Sequence, residues 1–279
     1  MDKLEHVIIA YGDQLGYHHG AKFQVLRAWP NWYSSQYVSV CVVTDKPELF
    51  NNYPVRLIQI TEQEAHDWSL CGTQHFGIKL RGLEKAMATS DSSVSLLLDT
   101  DTYWKKNPRL LANSVKPNHA VMFCDEGKIK GTKNVSINRF NESLEKAEIF
   151  LSDMRYELSD LSRMYNSSII GMHQDDAGLL DRAFELFSAL EPLVEAHTVE
   201  QFSLGEIFRL SGVSVTFGAR YTGDWSSTGK KNYVTPLLKE FFYRYGEDNF
   251  HAHLEHINEM AISRPLGVFI QQKIARLRR

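Results

Sequence analysis

The chain contains 279 residues and has a formal net charge of −3, with 43% hydrophobic and 23% charged residues. This length fits one large α/β domain or one domain with a small appendage, and the composition is typical of a globular protein. The lack of a strong positive charge argues against a nucleic-acid-binding protein.

Apolar runs alternate with helical patterns along the chain. In chain order, we predict a strand over 6–12, a loop over 13–20, a helix over 21–29 that Pro30 ends, and strands over 37–45 and 55–60. Next come a helix over 75–89, an apolar strand that ends at Asp99, a strand over 120–124, a mobile loop over 125–140 and a helix over 144–161. A strand over 167–173, helices over 177–190 and 200–210, and a strand over 213–217 follow. This alternation predicts a mostly parallel sheet flanked by helices, with a helical C-terminal extension.

The cysteines and the N-terminus bear on the compartment. Cys41, Cys71 and Cys124 form no Cys-x-x-Cys pair, which argues against a zinc site and a disulfide framework. We expect Cys41 and Cys124 to be buried thiols in a reducing compartment. The N-terminus lacks a signal-peptide pattern, and no apolar run approaches the ~18 residues of a membrane span. The expected location is the cytoplasm.

The most informative segment reads Val-Ser-Leu-Leu-Leu-Asp-Thr-Asp at 94–101. The apolar run predicts a buried strand, and Asp99 and Asp101 would then lie at the carboxyl edge of the sheet, where open α/β sheets bind ligands. Two carboxylates separated by one residue can reach one hard cation, and Mg²⁺ or Mn²⁺ typically uses one or two carboxylates together with substrate phosphates. The alternative is a strand that ends in Asp because Asp favours turns.

Two further polar clusters accompany the predicted elements. Asn166 and Ser167 stand where the strand over 167–173 begins, and their side chains can bond sugar hydroxyls without adding charge, although a turn before a strand has the same composition. Glu200 and Gln201 open a predicted helix after Thr198. A capping box from Thr198 to Gln201 is the structural alternative for that segment.

Together these motifs resemble those of GT-A-fold, nucleotide-sugar-dependent glycosyltransferases, and of glycosyltransferase family 8 in particular. The strand over 37–45 ends in Val-Val-Thr-Asp, and 96–101 is similar to the hydrophobic-hydrophobic-D-x-D signature. Residues 165–170 resemble a Phe-Asn-Ser-Gly motif, with Ser168 in place of the usual Gly. Residues 200–204 resemble an Asp-Gln-Asp-x-Leu motif, with Glu200 in place of the first Asp.

The resemblance implies the transfer of a sugar from a nucleotide-diphosphate donor to a glycan or lipid-linked acceptor, with Mn²⁺ or Mg²⁺ bound by Asp99 and Asp101. The residues it implies for catalysis are Glu200, Gln201 and Asn166. Those it implies for binding the nucleotide sugar are Tyr11, Asp13, Asp45, Lys79, Arg81, Thr100, Asn166, Ser167 and Lys230, with Lys231 as an alternative to Lys230 as a phosphate partner. No residue stands out as a catalytic base, so the stereochemistry stays open, although family 8 implies retention.

The family's late metal-binding histidine has no counterpart in 221–231. Asp224, His251 and His253 are the candidates to replace it. We place the catalytic domain over 1–220 and a C-terminal extension over 221–279. Residues 264–279 are predicted to form a basic amphipathic helix, which either touches an anionic membrane surface or packs on the core.

Two other functions stay open. A nucleotidyltransferase or another nucleotide-sugar enzyme would use a similar sheet, but residues 13–20 lack the arginine or lysine usual in the glycine-rich loop of a nucleotidyltransferase. A non-catalytic sugar- or nucleotide-binding protein would use the same acids.

Overall fold

The computed structural model describes residues 3–33, 38–145 and 147–270. The strands in these ranges are β1 Leu4–Ala10, β2 Val38–Thr44, β3 Arg56–Gln59, β4 Val94–Leu98, β5 Thr102–Trp104, β6 His119–Lys128, β7 Ile149–Phe150, β8 Arg155–Tyr156, β9 Arg163–His173, β10 Ser214–Phe217 and β11 Thr222–Asp224. The α-helices are α1 Leu15–Ala28, α2 Glu62–Trp68, α3 Gly77–Ala88, α4 Pro108–Ala112, α5 Val135–Leu144, α6 Leu179–Leu190, α7 Val199–Leu210, α8 Thr228–Tyr245 and α9 Phe250–His256.

The main sheet is mostly parallel. Its seven strands in the described ranges have the order β10-β6-β9-β4-β1-β2-β3. β1 pairs in parallel with β2 and β4, whereas β9 is antiparallel to both of its neighbours, β4 and β6. The predicted α/β class with a mainly parallel sheet and flanking helices is confirmed. The helical C-terminal extension is present as α8 and α9.

The core forms two apolar layers, one on each face of the sheet. Side chains alternate between the faces along a strand, so Val7 and Leu97 pack with α3, α6 and α7 in one layer. Ile8 and Leu98 pack with α1, α8 and α9 in the other. The helices after residue 220 therefore share a core with the first strand of the sheet. The domain boundary at residue 220 stays a prediction.

Three local predictions were wrong. Within the helix predicted over 144–161, residues 149–156 form the β7–β8 hairpin instead, because buried Ile149 and Leu151 flank exposed Phe150 with a period of two. The predicted loop over 13–20 belongs largely to α1, which begins at Leu15.

The predicted loop over 125–140 contains the end of β6 and the start of α5. The side chain of Asn134 caps α5 by accepting a hydrogen bond from the Ser136 amide at 3.0 Å. Polar residues that suggested a loop therefore serve as a helix cap and as a solvent-facing strand end.

The cysteines and the helix lengths bear on the compartment predictions. Cys41 is buried, and burial raises the pKa of its thiol to about 12. Cys124 is half-buried rather than buried. In the three described ranges, no helix is both long enough and apolar enough to cross a membrane.

Candidate active site

A cleft of about 760 Å³ opens at the carboxyl ends of β1, β2 and β4. Parallel strands bring their carboxyl ends to one edge, so residues far apart in the chain meet there. Tyr11, Asp13, Asp45, Asp99, Thr100 and Asp101 line this cleft, together with Tyr17, His75, Lys79 and Lys231. The cleft therefore brings together six predicted site residues, each of which follows the end of a strand.

The backbone that carries the two acids is fixed from several sides. The Asp99 amide donates to the Ser168 carbonyl at 3.0 Å, and the Gln24 side chain donates to the Asp99 carbonyl at 2.7 Å. Helix α1 approaches the turn so closely that a Cβ at Gly20 would lie 2.1 Å from the Thr100 carbonyl oxygen. Glycine at position 20 therefore lets the helix support the acids directly.

Lys79 connects the acids to the predicted catalytic residues. Its Nζ lies 2.7 Å from Asp99 Oδ1 and 3.3 Å from Glu200 Oε1, and it donates to Ser167 Oγ at 3.1 Å. Ser167 Oγ in turn donates to Glu200 Oε1 at 2.6 Å. Burial favours a lower pKa for Lys79, but the charges of Asp99 and Glu200 outweigh it and raise that pKa above its ordinary value. Lys79 therefore stays a cation.

Asp101 is paired with a lysine from the C-terminal extension. Lys231 Nζ, in the first turn of α8, lies 2.9 Å from Asp101 Oδ2. Burial and the neighbouring charge of Asp99 raise the pKa of Asp101, although Lys231 opposes them. The described charged groups that contact one another here are three carboxylates and two ammonium groups: Asp99, Asp101 and Glu200 against Lys79 and Lys231. The acids therefore carry an excess of negative charge.

The predicted third metal ligands have other partners or are exposed, and none of them groups with Asp99 and Asp101 to hold a metal ion. Asp224 bonds Ser226 Oγ at 2.9 Å and pairs with Lys230 at 3.3 Å. His253 is buried and uses both ring nitrogens on the Tyr53 hydroxyl and the Gly246 carbonyl, at 2.7 and 2.5 Å. His251 is exposed on α9. In the described part of the chain, no three His, Cys, Asp or Glu side chains group so as to hold a metal ion.

Asp99 and Asp101 nevertheless fit a hard divalent cation whose shell is completed by phosphate oxygens. Mg²⁺ is usually bound in this way rather than by a cage of protein ligands. Such a cation would neutralise the negative charge of the pair, in which burial and then the charge of Asp99 raise the pKa of Asp101.

Two predicted phosphate partners do not line the cleft. Arg81 pairs with Asp181 and Glu84, at 2.6 and 2.7 Å. Residues two apart on a helix point in nearly opposite directions, so only one of Lys79 and Arg81 faces the acids. Lys230 bonds the Asp224 carbonyl at 3.0 Å, and its neighbour Lys231 takes the position at the cleft.

Comparison with known proteins gives the fold a name. No protein-family model and no curated protein matches the sequence. Two crystal structures of the galactosyltransferase LgtC resemble this chain, one with donor and acceptor sugar analogues and one of an active-site mutant. Each has a TM-score of 0.50, with 13% and 12% identity, covering 76% of this chain and 73% and 72% of LgtC. The chain has a GT-A fold. The sequence resemblance to GT-A glycosyltransferases is thus confirmed at the level of the fold.

Mouse xyloside xylosyltransferase 1 in its apo form also matches. Its TM-score is 0.45 and its identity 10%, over 77% of this chain and 85% of the mouse protein.

Within this GT-A fold, sequence reasoning missed one carboxylate beside the predicted catalytic residues. Glu126, near the end of β6, accepts hydrogen bonds from Asn166 Nδ2 and Gln201 Nε2, both at 3.0 Å. The register of β6 against β9 brings these side chains together. Glu126 fell inside a predicted loop, so no pattern in the sequence pointed to it.

Further polar groups of the GT-A cleft lie at the ends of β1 and β2. The Tyr11 hydroxyl donates to the His75 carbonyl at 2.7 Å, and burial raises the pKa of Tyr11. The Gly12 amide donates to Asp45 Oδ2 at 2.9 Å, and Asp13 pairs with Lys46 at 3.1 Å. This end of the cleft combines an aromatic ring with carboxylates, groups able to stack on a base and to bond hydroxyls.

Proposed function

We propose that this protein is a glycosyltransferase that moves a sugar from a nucleotide-diphosphate sugar to a glycan or lipid-linked acceptor. One observation carries the proposal. Asp99 and Asp101 follow β4 in the GT-A cleft, and Lys79 pairs with Asp99 and also contacts buried Glu200. This network joins the groups that would hold a diphosphate to those that would hold a sugar.

The donor would lie along the cleft. Tyr11, Asp13 and Asp45 would contact the base and ribose, and Lys79, Lys231 and Thr100 the diphosphate. Asp99 and Asp101 would hold Mn²⁺ or Mg²⁺, which supplies positive charge where negative charge develops on the leaving diphosphate. Lys79 adds a fixed positive charge at the same place, and a preorganised charge of this kind lowers the barrier without reorganisation.

The transferred sugar would lie on the side of Lys79 that faces β9 and α7. Glu200, with its carboxylate fixed by Ser167 and Lys79, would accept hydrogen bonds from sugar hydroxyls. The amides of Asn166 and Gln201 and the carboxylate of Glu126 would border the acceptor. A retaining outcome is the stereochemistry we propose. Surface polysaccharide synthesis is the process we propose for this reaction.

A turnover assay tests the proposal. The protein is incubated with a panel of nucleotide-diphosphate sugars, Mn²⁺ and mixed glycan acceptors, and release of nucleoside diphosphate is followed. We expect release with at least one donor, and loss of it in Glu200→Gln. A parallel thermal-shift screen reports binding, because a ligand at a hundredfold excess over Kd stabilises the folded state by about 2.7 kcal/mol. Binding with no turnover of any donor would instead favour a non-catalytic binding protein.

We also propose that the C-terminal segment contacts an anionic membrane surface. Leu266, Phe269 and Ile270 are exposed, at 73%, 41% and 47%, whereas residues 271–279 lie outside the described residues. Co-sedimentation with anionic liposomes tests the contact. We expect the full-length chain to bind more than a chain ending at residue 263. Equal binding of both would show that the segment has no membrane role.

A further inference from the structure

The two lysines that face the acids are held differently. Lys79 contacts Asp99, Glu200 and Ser167, and its side chain is 12% exposed. The Lys231 side chain is 46% exposed, and its ammonium group pairs with Asp101. A flexible, half-exposed lysine in the first turn of a helix can move its ammonium group by several ångströms without disturbing the core.

This position of Lys231 creates a conflict for either ligand alone. A divalent cation arriving by itself must displace Lys231 from Asp101 and then lie beside the displaced ammonium group. A nucleotide diphosphate arriving by itself is repelled, because the described charged groups here include three carboxylates and only two ammonium groups. Each ligand alone therefore meets electrostatic opposition.

Both conflicts disappear when the two ligands arrive together. The Asp101 carboxylate can then bind the cation, and the Lys231 ammonium group can bind a phosphate oxygen. Every charge has an opposite partner in this arrangement.

We infer that Lys231 is an exchangeable counterion, which pairs with Asp101 in the empty cleft and transfers to the diphosphate when a divalent cation takes its place. The inference rests on the proposed function and deepens it. It makes cation binding and nucleotide binding strongly cooperative. By linkage, each ligand strengthens the affinity of the other by the same factor.

Calorimetry on the full chain tests the exchange. Mn²⁺ alone, the tightest-binding of ADP, CDP, GDP, TDP and UDP alone, and both together are titrated into wild type and Lys231→Met. In wild type we expect each ligand to strengthen the other by about tenfold or more. In Lys231→Met, Mn²⁺ alone should bind about fivefold more tightly, because Asp101 is free, and the coupling should fall below about threefold.

Two variants serve as controls. Lys239→Met removes the same charge from an exposed position on α8 and should behave as wild type. Lys231→Arg keeps a cation and should restore most of the coupling, which shows that charge rather than packing is responsible.

The outcomes separate the inference from the proposed function. If Lys231→Met leaves the coupling intact or fails to tighten Mn²⁺ binding, the exchange is wrong while the glycosyltransferase proposal stands. If no nucleoside diphosphate binds with or without Mn²⁺, both proposals fail.

Discussion

Two lysine–carboxylate pairs join the C-terminal segment to the rest of the molecule, and they differ in exposure. Lys231 and Asp101 lie at the cleft, with side chains 46% and 20% exposed. Lys22, on α1, is fully buried and lies 3.5 Å from Glu247 Oε2, in the segment between α8 and α9. Its ammonium group also donates to the Glu247 carbonyl. The lysine is thus half-exposed in one pair and fully buried in the other, whereas the Glu247 side chain is 42% exposed.

The surroundings of Lys22 show what burial adds. The rings of Phe50, Tyr53 and Phe242 surround its ammonium group at 5.8, 5.9 and 5.3 Å. Burial lowers the pKa of Lys22, while Glu247 opposes that shift. Lys22, which is fully buried, cannot change partners without leaving its charge unpaired among these rings. We therefore assign Lys22–Glu247 a structural role and Lys231–Asp101 a functional one.

The largest expected effect is a loss of stability when buried Lys22 loses its carboxylate. Glu247→Ala leaves Lys22 and His19 without their carboxylate, and we expect the free energy of unfolding to fall by about 3 kcal/mol. Urea denaturation followed by circular dichroism measures it. The matched change at the cleft, Asp101→Asn, should lower stability by less than about 1 kcal/mol, because the Lys231 ammonium group that loses its partner is half-exposed and can be solvated by water. Equal losses of unfolding free energy in Glu247→Ala and Asp101→Asn would contradict the distinction between a structural pair and a functional one.

An intermediate loss of stability is expected at acidic pH, and it should arise from the buried histidines His19 and His253. Burial lowers the pKa of His19 and of His253 below the ordinary value of 6.5. The unfolded chain then binds more protons than the folded protein as the pH falls below 6.5, so stability present above that pH is lost on acidification. Each histidine contributes up to about 1.4 kcal/mol per pH unit.

Urea unfolding at pH 7.5 and pH 5.5 measures this loss. His19→Gln should reduce the difference between the two conditions, and His251→Gln, at an exposed position, should not. The same unfolding free energy at both values would contradict a neutral, buried histidine cluster.

The smallest expected effect is a difference in nucleotide affinity between variants of two adjacent lysines, Lys230 and Lys231. Lys230 pairs with half-buried Asp224 rather than with the acids of the cleft, so Lys230→Met should change nucleotide affinity in the presence of Mn²⁺ by less than about fivefold. Lys231→Met should weaken it by more than about tenfold, since a charge-assisted bond to phosphate is lost. Fluorescence or calorimetric titration distinguishes them. A larger effect at Lys230 would reverse the assignment.

The sequence carried enough information for the sheet and for the ends of its strands. Apolar runs placed Asp99 and Asp101 after β4, and the alternation of strands and helices implied that Tyr11 and Asp45 lie at the same edge. These properties depend on local patterns that a buried strand imposes.

The partners within the site needed the tertiary structure. The choice of Lys231 over Lys230 depends on where the first turn of α8 docks, which no local pattern determines. Glu126 joined the site through the pairing of β6 with β9, and its polar surroundings resembled a loop. The choice of Lys79 over Arg81 follows from helix geometry once the face of α3 that packs on the sheet is known.

The central claim is that Asp99 and Asp101 bind a nucleotide diphosphate through a divalent cation. Calorimetry of wild type and Asp101→Asn with the tightest-binding nucleoside diphosphate, each in Mn²⁺ and in EDTA, tests it most directly. We expect wild-type affinity to fall by about tenfold or more in EDTA, and Asp101→Asn to bind weakly in both conditions while keeping its fold. Wild-type affinity unchanged by EDTA, or affinity unchanged by the substitution, would show that the two acids are only the polar end of a strand.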